Sequence, residues 1–150
     1  MTKFTNNYLN KFLLLKLPSA YFSGVRVKLI TDTQAIATVK YKWINQNPFK
    51  SLYWATQGMA SELATGILVM QEIAKSGKNI SMLLTKQKGI FTKKATGRIN
   101  FICKDGSLIK EAIEKTISSS EGQVIIMTAE GFDEKNNSVS KFEYEWSIKL

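Results

Sequence analysis

The end of the chain carries the clearest pattern. Phe142, Tyr144, Trp146 and Ile148 alternate with Lys141, Glu143, Glu145, Ser147 and Lys149. Period two with one apolar side predicts a half-buried strand. The same alternation runs from Gly24 to Thr31, where Val25, Val27 and Leu29 oppose Arg26 and Lys28. It recurs from Gln34 to Ile44, where Ala35, Ala37, Val39, Tyr41 and Trp43 share a face. The short Asp32-Thr33 turn between these two predicts a hairpin. Further strands are expected over Asn79–Thr85, Gly89–Phe91, Ala95–Lys104 and Gln123–Phe132, with Asp133–Asn137 as a polar loop.

Helical spacing takes over elsewhere. From Thr5 to Leu17, Tyr8, Phe12 and Leu15 recur on one stripe that Leu9, Leu13 and Leu17 broaden, and Pro18 ends it. A short amphipathic helix, Leu108 to Ile117, follows Asp105-Gly106-Ser107. The longest helix, Phe49 to Ala74, is apolar around nearly its whole circumference, which marks a buried helix. Asn47 and Pro48 supply N-cap and first-turn chemistry, Ser51 is a competing cap, and Ser76-Gly77 is the stop. Small residues such as Ala55, Gly58, Ala60 and Ala64 permit close backbone approach. Glu62 stands near the middle; Glu72, in the more polar last turn, reads as exposed. One antiparallel sheet wrapped around this helix satisfies the order of elements. The expectation is an α+β fold, a single domain over 1–150, with a helical extension over 1–22 and a short inserted helix. Part of the central helix would stay uncovered in one copy, so self-association is expected.

Composition narrows the chemistry. The 150 residues include eight Phe, five Tyr and three Trp, enough for one core. No apolar run approaches the ~20 residues of a membrane span, and the start reads as a helix rather than a cleaved signal. The single cysteine, Cys103, excludes an intrachain disulfide framework. Its phase with Ile99 and Phe101 places it in a core, and a reducing, cytoplasmic setting is expected. The chain has no histidine, which removes Ser-His-Asp and Cys-His mechanisms and His-ligated zinc. Acid–base work falls to Asp, Glu, Lys, Tyr or water. A net charge of +9 admits anionic partners.

Two segments carry a resemblance: Asn47-Pro48-Phe49-Lys50-Ser51-Leu52-Tyr53-Trp54-Ala55, and Met59-Ala60-Ser61-Glu62-Leu63-Ala64-Thr65-Gly66. Together they resemble the central-helix motif of the hotdog thioesterase superfamily, in its domain-of-unknown-function branch related to phenylacetyl-CoA-type thioesterases. Phe91-Thr92-Lys93-Lys94-Ala95-Thr96-Gly97 and the ending from Ala129 to Lys149 are similar to the same branch. The chain departs from the pattern where many superfamily members carry His-Gly-Gly: Tyr53, Trp54 and Ala55 stand there instead.

The resemblance implies that a helix carboxylate activates water or attacks a thioester, that N–H groups near the helix N-terminus polarise the carbonyl, and that subunits share each site. Glu62 fits the first role and the turn around Ser51 to Tyr53 the second. A carboxylate inside an apolar helix is costly to bury unless paired, protonated or used. Asn47, Ser51, Leu52, Tyr53 and Gln57 are candidate substrate-binding residues. Lys86, Lys88, Lys93, Lys94 and Arg98 are candidates for the phosphates of coenzyme A, with a solvated strand face as the competing reading. No metal site and no cofactor beyond coenzyme A as part of the substrate are expected. The expected assembly is a homodimer, or a tetramer built as a dimer of dimers, acting on acyl-CoA or an acyl carrier protein thioester. The alternatives are a non-catalytic acyl- or ligand-binding hotdog protein, and a basic nucleic-acid-binding module, for which no motif is present.

Overall fold

The computed structural model describes residues 4–150; the first three residues of the extension expected over 1–22 lie outside them. Helix α1 (Asn6–Lys16) starts where Thr5 Oγ1 accepts the Tyr8 N–H at 3.2 Å. Pro18 ends α1 and also opens a second helix, α2 (Pro18–Phe22), too short for periodicity to reveal. The strands are β1 (Arg26–Ile30), β2 (Ala35–Lys40), β3 (Ser81–Phe91), β4 (Arg98–Cys103), β5 (Gln123–Phe132) and β6 (Ser138–Lys149). They form one antiparallel sheet in the order β1-β2-β4-β5-β6-β3. The long helix α3 (Trp54–Ser76) lies on one face of this sheet, and α4 (Gly106–Ser119) packs against α3 and β5. The core between them holds Phe101, Phe142, Ile67, Leu68, Ile99, Met127 and Ile148, all fully buried.

Several boundaries differ from the pattern for identifiable reasons. β2 stops at Lys40 instead of reaching Ile44. The Asn45 side chain accepts the Lys42 N–H at 2.8 Å and donates to the carbonyls of Lys40 and Ser23, each at 2.9 Å. These bonds replace the ladder partners of a continuing strand, so Trp43–Asn45 becomes a 3-10 turn and Trp43 and Ile44 point outward. The two strands expected over Asn79–Thr85 and Gly89–Phe91 are one. The polar run Lys86–Lys88 is the exposed middle of an edge strand, with a bulge between Leu84 and Lys86. β4 begins at Arg98 rather than Ala95, because Ala95 leaves the ladder and its carbonyl accepts the Leu52 N–H at 2.9 Å. α3 begins at Trp54, not Phe49, and ends on Gly77, whose φ of 64° a side chain would resist. Glu72 is buried rather than exposed, paired with Lys75, which also holds Asp32 at 2.8 Å.

The two sheet edges are treated differently. Asn10 of α1 accepts the Val27 N–H at 2.9 Å and donates to the Val27 carbonyl at 3.0 Å; Asn6, one turn earlier, donates to the Lys28 carbonyl at 2.7 Å. The helical extension thus occupies the outer edge of β1. The opposite edge, the 11-residue β3, pairs only with β6 among the described residues.

Candidate active site

The lead-in to α3 is a tightly tied loop. Asn47 Oδ1 accepts the N–H groups of Phe49 (2.9 Å) and Ser51 (3.2 Å), and its amide donates to Ser51 Oγ (3.0 Å) and the Leu52 carbonyl (3.3 Å). Asn47 therefore caps its own turn and has no bond left for the helix. Lys50 sits in the left-handed region within that turn. The expectation that Ser51 to Tyr53 offer free N–H donors is corrected here. Ser51 donates to Asn47, Leu52 to Ala95 and Tyr53 to the Asn45 carbonyl at 2.9 Å. The free donors lie one step later. Tyr53 is the N-cap and provides no side-chain cap, so the Trp54 and Ala55 N–H groups have no acceptor among the described residues.

Trp54, the first of the two, lines a cavity of about 480 Å³. Its walls are the Asn47–Trp54 segment, Gln57 of the first turn of α3, and Phe91 to Ala95 between β3 and β4. Five expected substrate-binding residues (Asn47, Ser51, Leu52, Tyr53 and Gln57) line it, together with Lys93 and Lys94. Ser51 and Leu52 are buried and act through the loop's shape. Phe49, Trp54 and Phe91, which the sequence reading did not place in a site, give the cavity its apolar surface. The resemblance of the Asn47–Ala55 and Phe91–Gly97 segments was the signal that pointed in that direction.

A polar ladder fixes how α3 is rotated. From β6, Ser140 Oγ donates to Gln57 Oε1 at 2.7 Å, Tyr144 Oη lies 2.6 Å from Ser61 Oγ, and Trp146 Nε1 donates to Thr65 Oγ1 at 3.0 Å. Gln57, Ser61 and Thr65 are four residues apart, one per helical turn. Tyr144 also donates to the Gly58 carbonyl at 3.0 Å. The spacing of these three polar residues in an apolar helix was the available signal.

The neighbouring position to Ser61 is Glu62. Its carboxylate makes no hydrogen bond or ion pair among the described residues, and burial pushes its pKa up to about 7. Gly66 makes room for it: a Cβ there would come 3.3 Å from Glu62 Oε1 and 3.4 Å from the Trp146 ring. Burial, with the nearby Glu62 charge as its smallest contributor, raises the Tyr144 phenol above its usual value against the hydrogen bond from Ser61. Glu62 does not line the 480 Å³ cavity. It borders a separate cleft of about 230 Å³ between α3 and the α1–α2 junction, with Lys16, Leu17, Pro18, Met59 and Leu63.

The cationic candidates divide. Lys93 Nζ is paired with Asp133 at 2.6 Å, and Lys94 Nζ donates to the Phe49 carbonyl at 3.2 Å without an acidic partner among the described residues. Lys86 and Lys88 line a different groove, shared with Glu143 and Glu145, and Lys86 lies 3.8 Å from Glu145. Arg98 is at the start of β4, 3.5 Å from Thr38 Oγ1. Cys103 is buried beside Asp105, and desolvation pushes its thiol up to about 12. Among the described residues, no three acidic or thiol side chains gather as a metal site, and no helix is long and apolar enough to cross a membrane.

No protein-family model and no curated protein matches the chain. Solved structures do. A protein of unknown function from Chlorobaculum tepidum superposes with a TM-score of 0.81 at 16% identity, over 96% of this chain and 93% of that one. A probable thioesterase from Pseudomonas aeruginosa superposes with a TM-score of 0.82 at 15% identity, over 97% and 96%. A thioesterase from Staphylococcus aureus is more distant. Its glutamine-to-alanine variant gives a TM-score of 0.65 at 11% identity, over 89% of this chain and 99% of that one. A glutamate-to-alanine variant of the same protein gives 0.63 at 11% identity, over 87% and 98%. The antiparallel sheet on a long central helix is the hotdog fold of these thioesterase structures, and at such identities the fold is what is shared.

Proposed function

We propose that this protein hydrolyses an acyl thioester of coenzyme A, or of an acyl carrier protein, at sites shared by two copies of the chain. The observation that carries the reading is the pair of N–H groups, Trp54 and Ala55, without acceptors among the described residues at the N-terminus of the 23-residue α3, whose first residue lines a mostly apolar cavity. Aligned peptide dipoles make such an end a stabiliser of negative charge, and a thioester carbonyl develops that charge when water adds to it.

The base is Glu62. With a pKa near 7 and no partner among the described residues, its ionised form accepts a proton from water near neutral pH. Within one chain it stands too far away. Eight residues of α-helix rise about 12 Å, whereas nucleophile and oxyanion donors must both lie ~3 Å from the reacting group. The Glu62 that serves one helix N-terminus therefore comes from the other copy. The unpaired edge of β3 favours such pairing. Lys94 is the cation best placed for a phosphate of coenzyme A, since it lines the cavity without an acid beside it. The Staphylococcus aureus variants add support. Their replaced glutamine and glutamate are fifteen residues apart, the separation of Asn47 and Glu62 here.

The test is thiol release from short, medium, long and aromatic acyl-CoAs by the native chain and by Glu62→Gln. The expected result is release by the native chain and a loss of roughly 10²-fold or more in the variant, with fold and assembly unchanged. Undiminished turnover by Glu62→Gln would exclude Glu62 as the base. Saturable acyl-CoA binding with no release by the native chain would assign the non-catalytic reading instead.

A further inference from the structure

The turn after β2 and the end of α2, tied together by Asn45, display three large apolar side chains to solvent. Trp43 is 83% exposed and Ile44 56%. Phe22, 63% exposed, ends α2 one residue before Ser23, whose carbonyl the buried Asn45 amide holds at 2.9 Å. The same Asn45 ties Lys40 and Lys42, so the turn is built by a side chain 3% exposed rather than left loose. Nothing in the proposed hydrolysis uses Trp43, Ile44 or Phe22.

The surroundings are cationic. Lys40 and Lys42 flank the turn and are exposed, and Arg98 is paired in register with Lys40. One acid, Glu134, lies beside Gly97, whose carbonyl accepts the Tyr41 N–H at 2.7 Å. The wider segment is one-sided. The first 61 residues contain eight Lys or Arg and one acid, Asp32, which lies before the other end of β2 and is paired with Lys75.

We infer that the face formed by Phe22, Trp43 and Ile44, ringed by Lys40, Lys42 and Arg98, docks onto an anionic lipid bilayer. Tryptophan is the residue that settles at the headgroup level. Durable attachment of a peripheral protein takes two signals, an apolar wedge and a basic patch, and both are here. A second copy is the poorer occupant, for two reasons. Two faces ringed by like charge repel. β2, from which the turn springs, also stands four places from the open β3 edge, roughly 19 Å across the sheet at the usual strand spacing. Nucleic acid is poorer too, because Ile44 offers no ring on which a base stacks.

The experiment is co-sedimentation of the full chain with phosphatidylcholine vesicles, with and without phosphatidylglycerol, at low and high salt. The expected result is binding to the anionic vesicles that weakens with salt. Trp43→Ala/Ile44→Ala should lower partitioning about tenfold or more, and Lys42→Gln about fivefold, with unchanged cooperative thermal unfolding in each variant. Equal partitioning of the double variant, or no sedimentation with anionic vesicles, overturns the inference. So does a Trp43→Ala chain that differs from the native one only by falling apart into monomers, or only by losing oligonucleotide binding.

Discussion

Glu62 costs stability because it is half-buried and makes no ion pair among the described residues, although Lys16 borders the same cleft. The folded state keeps its proton up to about pH 7, whereas the unfolded chain releases it near the ordinary value of 4.5. Protons are thus bound more tightly in the folded state, and stability falls as pH rises between those values, by about 3 kcal/mol at most. Glu62→Gln should therefore melt higher than the native chain at about pH 8, with the gap closing towards about pH 5; calorimetry at both pH values checks it. Thioester hydrolysis should run the other way, with kcat/KM rising through about 7 as the carboxylate ionises. Trp54 separates backbone from side chain. It is the first residue of α3, and Tyr53 before it has φ −60° and ψ 137°, which a following proline accepts. Trp54→Pro should fold yet lose roughly 10²-fold in kcat through the missing N–H, while Trp54→Ala keeps the donor and most of the rate. Steady-state kinetics on both variants decides whether that N–H acts.

At the scale of elements, the contact between α3 and β6 sets the direction in which the carboxylate points. Gln57→Leu would leave the buried Ser140 hydroxyl without its acceptor and should lower stability by about 1–3 kcal/mol in denaturant titration. Much of this scale was legible in the sequence, because period two and helical spacing are imposed by which side meets the core. The inward phase of Phe142, Tyr144, Trp146 and Ile148 and the buried length of α3 follow from it directly. What escaped was decided by side chains that bond to backbone. Asn47-Pro48 satisfies the local rule for a helix start, but Asn47 spends its amide on Ser51 and Leu52. Asn45 similarly ends β2 within a pattern that continues to alternate. Lys86–Lys88 interrupt the apolar pattern of β3 because an edge strand can face water on both sides there. The candidate site was legible as a set of positions around Asn47 to Gln57. Its free donors were not, since only the structure places Tyr53, rather than Asn47, at the helix cap.

At the scale of the whole molecule, the asymmetry of the sheet edges is the organising fact. Asn6 and Asn10 close the β1 edge, while β3 presents eleven residues with an unpaired side. If two copies share each site, two inactive variants should rescue one another. An equimolar mixture of Glu62→Gln and Trp54→Pro, unfolded and refolded together, should regain about a quarter of native activity, since half of the dimers are mixed and each has one intact site. A mixture as inactive as its parts would place both groups in one chain. The seating of α3 on β6 also gives the molecule its own spectroscopic reporter. The Trp146 indole proton is buried and donated to Thr65, so it exchanges with solvent only when helix and sheet separate. Its resonance in deuterated water measures how often the core opens, and a bound ligand that tightens α3 would lengthen that clock without touching the tryptophan.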